Sequence, residues 1–104
     1  MAHDKIAPAA SRNKEPRVEL GSWLKALREA RGISQRQLAD ELSLPYYTFI
    51  SQLETGRGKI PSARYCEWAK ALEQEPRDFM MVLLRYYEPE AYGMLFGDPQ
   101  AATN

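Results

Sequence analysis

Apolar residues recur in this chain at helical spacing. Leu20, Leu24 and Leu27 stand at i, i+4 and i+7 and are joined by Trp23, which predicts one apolar face on a helix over 19–30. Arg28 and Arg31 fall late in that helix, where cations complement its dipole, and Gly32 supplies the stop. Leu38, Ala39 and Leu42 then share a face, behind Ser34 as an N-cap. Tyr46, Ile50 and Leu53 repeat the pattern and end at Gly56, where a positive φ is cheap. A fourth helix is expected to open on Pro61 with Ser62 as its cap and to bury Tyr65, Trp68, Ala69 and Leu72. Cys66, beside that face, is expected to be a small packing residue.

The stretch 32–56, GISQRQLADELSLPYYTFISQLETG, organises the rest. Its two short amphipathic segments, 34–42 and 46–55, lie on either side of a tight break and read as a helix-turn-helix. Pro76 suits the first turn of a fifth helix, with Asp78 at its positive end. The run FMMVLLRYY over 79–87 is apolar on nearly every face, and 88–99 adds Tyr92, Met94, Leu95 and Phe96 on a short last helix. That is more apolar surface than a small head needs to bury. It predicts a homodimer interface carried by Phe79, Val82, Leu83, Tyr86, Tyr87, Leu95 and Phe96. The alternative is that the last helix folds back over the fifth within one subunit.

Composition narrows the classes. A chain of 104 residues with 44% hydrophobic and 27% charged residues has the profile of one small globular domain. No apolar run approaches a membrane span and no apolar leader region is visible, so a cytoplasmic protein without a membrane partner is expected. A lone cysteine and a lone histidine give no internal disulfide and no four-ligand metal site. No Walker A loop, GxGxxG, HExxH or GxSxG is present, so neither a cofactor nor an enzymatic activity is expected. Residues 1–18 hold Pro8 and Pro16 and few large apolar side chains, and they are expected to be a disordered tail. Arg12, Lys14 and Arg17 there suit either a basic arm along a DNA groove or a solvated tail.

Net charge is zero, which argues against nucleic acid, but the charge is segregated. Residues 20–62 carry Lys25, Arg28, Arg31, Arg36, Arg57 and Lys59 against Glu29, Asp40, Glu41 and Glu54. From residue 63 the balance reverses to four basic against seven acidic.

Residues 20–73 resemble the helix-turn-helix domain shared by the Cro and lambda-type phage repressors and the XRE-type bacterial regulators. Leu24, Leu27, Arg28, Gly32, Ser34-Gln35, Leu38-Ala39, Leu42, Leu44, Ile50-Ser51, Leu53-Glu54, Gly56 and Pro61 carry the resemblance. It implies an all-α, compact five- to six-helix lambda-repressor-like DNA-binding domain over 19–74. C-terminal dimerisation helices over 75–97 and a tail over 98–104 would complete the chain. It also implies a sequence-specific regulator of transcription whose partner is double-stranded DNA, with the third helix in the major groove. An antitoxin or an adaptor gripping another protein through its C-terminal helices is the alternative. Two departures stand out: Ser43 occupies a turn position where the family usually has Gly, and one extra residue lies between Leu44 and Ile50.

Matched position by position, Gln35 would meet a phosphate at the start of helix 2, with Arg36 beside it. Tyr47, Thr48, Ser51 and Gln52 would face the bases, Gln52 suiting adenine and the Thr48 methyl a thymine methyl. Arg57 and Lys59, in RGKIP, would touch phosphates. Tyr46 suits a backbone contact or packing, the packing role ahead. Glu54 would brace the domain internally.

Overall fold

A computed structural model of the chain describes residues 15–97. These residues form α1 (Pro16–Ala30), α2 (Gln35–Glu41), α3 (Thr48–Glu54), a 3₁₀ turn (Ser62–Arg64), α4 (Tyr65–Ala71), α5 (Pro76–Tyr87) and α6 (Pro89–Phe96), with no strand among them. The expected all-α architecture of five to six helices is the one observed. The expectations for residues 1–14 and 98–104 lie outside the described residues.

The first helix starts earlier than periodicity predicted. Pro16 occupies its first turn, behind an extended Glu15, and Val18 packs against Gly56. The Pro16–Val18 part of the expected tail is therefore helix. The helices α1 to α4 are each followed by a residue with positive φ, namely Gly32 (φ 70°), Ser43 (φ 55°), Gly56 (φ 96°) and Glu73 (φ 59°), and Gly97 (φ 81°) follows α6. After α2 the Ser43 amide donates to Asp40 and the Leu44 amide to Ala39, at 3.1 and 2.9 Å, which satisfies the last carbonyls. The same bonding pattern closes α3 at Gly56 and α4 at Glu73. The Ser43 position thus does require the conformation that glycine adopts freely.

Ser34 caps α2 as expected and does so reciprocally. Its hydroxyl accepts the Gln37 amide at 3.1 Å while its own amide donates to the Gln37 side chain at 2.7 Å. Ser62, in contrast, makes no cap. A single 3₁₀ turn precedes α4, which begins only at Tyr65. At α5 the Glu75 side chain accepts the Asp78 amide at 2.8 Å, with Pro76 in the first turn.

One core joins α1 to α5. Leu20, Trp23, Leu24, Leu38, Ala39, Leu42, Ile50 and Leu53 meet Ile60, Tyr65, Trp68, Ala69 and Leu72 there. Trp23 stacks on Phe79 with ring centroids 5.8 Å apart. This packing revises the expected dimer face. Phe79, Val82, Leu83 and Tyr87 are buried in the same core, and Tyr86 is half-buried with its hydroxyl donating to Glu19 at 3.1 Å. An apolar run is buried as readily by its own chain as by another, and here α1 and α4 cover it. Of the seven residues, Leu95 and Phe96 are exposed, on α6, next to Met94 at 87% exposure. α6 packs against α5 yet buries none of its own residues. Cys66 is exposed, so its expected packing role is not observed.

Candidate nucleic-acid interface

The site is built on α3 and the segments at its two ends. α3 buries Ile50, Leu53 and Glu54, and leaves Thr48 and Gln52 exposed, with Ser51 half-buried. This is the division expected of a helix that rests on its domain by one face and offers the other. Glu54 is the brace. It forms a two-point ion pair with Arg28 of α1, 2.7 Å between Nε and Oε2 and 3.1 Å between Nη2 and Oε1, and both residues are 8% exposed. The hydrogen bonds it donates to the Glu54 carboxylate, working against burial, push the Arg28 guanidinium above its ordinary range. The same guanidinium donates to the Ile33 carbonyl at 2.7 Å. α1, α2 and α3 are thus locked through one carboxylate.

Gln35 belongs to that lock as well. Its amide nitrogen donates to Glu54 Oε1 at 2.9 Å, so the side chain expected to meet a phosphate is engaged internally. A second close approach sets α3 against α1. A Cβ at Gly21 would collide with the Leu53 carbonyl oxygen and lie 2.7 Å from that of Glu54. Only glycine permits this contact between the middle of α1 and the end of α3. The sequence signal for it was a glycine inside an apolar helical stripe.

Residues 42–47 separate α2 from α3. Pro45 biases Leu44 away from the helical region, and Ser43 already turns the chain. α3 therefore begins at Thr48, with Tyr47 as the residue before it. Tyr46 is not on the helix and does not share a face with Ile50. It is 73% exposed, which overturns its packing role. Tyr47 lies under a cation, the Arg36 guanidinium carbon 4.5 Å from its ring centroid. Beside α3 an apolar groove of about 310 Å³ is lined by Leu44, Pro45, Phe49 and Trp68, together with Thr48 and Gln52.

The basic middle of the chain is smaller in space than in sequence. Arg28 is consumed by Glu54, Arg31 pairs with Glu41 at 2.8 Å, and Lys59 pairs with Glu88 at 2.9 Å. Arg36 and Arg57 are exposed and make no ion pair among the described residues. The structure therefore brings Tyr46, Tyr47, Thr48, Gln52, Arg36 and Arg57 to the surface around α3. It gives Gln35 and Lys59 protein partners.

These features define the class: a helical domain whose second and third helices form a braced helix-turn-helix with one face of the third open to solvent. Residues 19–77 match the family model described as "Helix-turn-helix domain", and the chain belongs to that family. No curated protein and no solved structure gives a significant match. No helix among the described residues is long and apolar enough to cross a membrane.

Proposed function

We propose that the protein is a sequence-specific double-stranded DNA-binding regulator of transcription, of the Cro and lambda-repressor (XRE) type, acting in the cytoplasm. The observation that carries this reading is α3, fixed by Glu54 on one face and open at Thr48 and Gln52 on the other. α3 lies in the major groove with Tyr47, Thr48, Ser51 and Gln52 towards the bases. The Gln52 amide suits adenine, and the Thr48 methyl, beside the apolar groove, suits a thymine methyl. Arg36, Tyr46 and Arg57 contact the backbone. Gln35 and Lys59 join them by giving up their present partners. Residues 19–74 carry this DNA-binding function and 75–97 the association of subunits, although α5 also completes the core.

The protein acts as a homodimer, joined through the exposed Met94, Leu95 and Phe96 of α6. Two-fold symmetry then sets the recognition helices about 34 Å apart on a palindromic site. The same stripe supports the second reading, an antitoxin or adaptor, if the subunit that meets α6 is a different protein. Sedimentation of the wild type and of Leu95→Lys separates the two: a dimer dissociated by the substitution supports self-association, and a wild-type monomer contradicts it.

Selection from random-sequence duplex DNA, with Gln52→Ala in parallel, tests the main reading. Enrichment of a defined sequence by the wild type, altered by the substitution, is expected. No enrichment contradicts DNA reading, and enrichment untouched by Gln52→Ala contradicts the assigned face.

A further inference from the structure

The loop over 55–61 is anchored from two sides. From α1, Arg17 Nη1 donates to the Gly58 carbonyl at 3.1 Å. From α5, the Tyr87 hydroxyl accepts the Ile60 amide at 3.3 Å, and Ile60 itself is buried. The Tyr87 ring also serves two cations, with Arg17 Cζ and Lys59 Nζ each 5.4 Å from its centroid. The loop backbone is therefore fixed. The Lys59 ammonium is held more loosely, by an ion pair with Glu88 Oε2 at 2.9 Å in which the side chains are 42% and 52% exposed. Water competes well for such a pair, and a DNA phosphate offers the same charge. Glu88 is the residue at which α5 ends and α6 begins.

We propose that Tyr87 and Glu88 are positioning residues for a DNA phosphate contact made by Lys59. Tyr87 fixes where the loop presents Lys59, and Glu88 occupies the ammonium until a phosphate displaces it. The inference rests on the DNA-binding reading and deepens it. Lys59 adds less to affinity than its charge suggests, because each phosphate it gains breaks the pair with Glu88 and leaves a carboxylate beside the backbone. The acidic C-terminal part thus restrains non-specific binding by a local contact with one lysine, rather than by diffuse repulsion.

The test is binding of the full chain to a mixed-sequence duplex of about two helical turns, by fluorescence anisotropy over a salt series. Wild type, Glu88→Gln, Lys59→Ala and the double variant form a cycle, and thermal melts establish that each is folded. Glu88→Gln is expected to tighten binding about two- to fivefold at low salt. The slope of log K against log salt should change by less than about 0.5, because Lys59 makes the same phosphate contact with and without Glu88. Lys59→Ala alone should change affinity by less than about twofold, and in its presence Glu88→Gln should tighten binding clearly less than it does in the wild-type background. Equal tightening with and without Lys59 overturns the proposal, because the carboxylate then acts by long-range repulsion. A slope steeper by about 0.9 in Glu88→Gln overturns it as well, because Lys59 then makes no phosphate contact in the wild type. Failure of every variant to bind duplex contradicts the DNA-binding reading itself, an outcome distinct from binding that ignores Glu88.

Discussion

Removing the Glu54 carboxylate should unfasten the interface from the rest of the domain. In Glu54→Leu, Arg28 keeps its charge at a position 8% exposed and retains only the Ile33 carbonyl as a partner. An uncompensated buried charge of this kind costs about 3–5 kcal/mol. A domain of this size has about 5–15 kcal/mol in total, so the variant should melt at least about 12 °C lower. Arg28→Met should cost a similar amount by leaving the buried Glu54 charge with only the Gln35 amide as a partner. The double variant Arg28→Met/Glu54→Leu removes both charges and fills the space with apolar atoms. It leaves unpartnered only the Ile33 carbonyl and the half-buried Gln35 amide, and should lie within about 2 kcal/mol of wild type. Urea unfolding followed by far-UV circular dichroism and by the buried Trp23 and Trp68 gives all four stabilities. A coupling energy of at least about 3 kcal/mol is expected. Additive losses, with coupling below about 0.5 kcal/mol, would refute the assignment of this pair as the brace.

Gly21→Ala sets two effects against each other: helix propensity favours alanine by about 1 kcal/mol, but the new Cβ meets the Leu53 and Glu54 carbonyls. Packing should win, with a net loss of about 1–3 kcal/mol in urea unfolding, and any gain in stability would contradict the close approach of α1 and α3. Ser43→Gly relieves a residue held at φ 55° and should be neutral to about 1 kcal/mol stabilising, whereas a clear loss would mean that the serine side chain has a partner of its own. Tyr86 is pushed up to about 12, first by burial and then by its bond to Glu19. Above about pH 10 the unfolded tyrosine loses its proton while Tyr86 keeps its own, so stability should fall from about pH 10 to about 12. Tyr86→Phe should make that decline shallower in melts across this range, and an identical decline would contradict the assignment.

The helix-turn-helix was readable because its signals are local. Ser34 before Leu38 and Ala39, Gly32 and Gly56 at helix ends, and Pro76 with Asp78 each act within one turn of the chain. What could not be read depends on meetings between distant residues. Lys59 and Glu88, 29 positions apart, form a pair that no spacing rule announces, and the Arg28–Glu54 pair spans 26. The run 79–87 is equally apolar whether α1 and α4 cover it or a second subunit does, so its pattern does not reveal that Phe79, Val82, Leu83 and Tyr87 lie in the subunit's own core. Tyr46 matches the apolar periodicity of Ile50 and Leu53 but follows Pro45 and lies before the helix begins, so it does not share their face. The expected basic region also overstated the charge available to DNA, since sequence alone does not show which cations already have carboxylate partners.

Amide chemical-shift mapping by NMR, on titration of the labelled chain with a duplex recovered by selection, bears most directly on α3 as the reading element. The largest perturbations are expected at Arg36, Tyr47, Thr48, Gln52 and Arg57, with the core residues of α5 unmoved. Perturbations confined to α6, or none at saturating duplex, would contradict it.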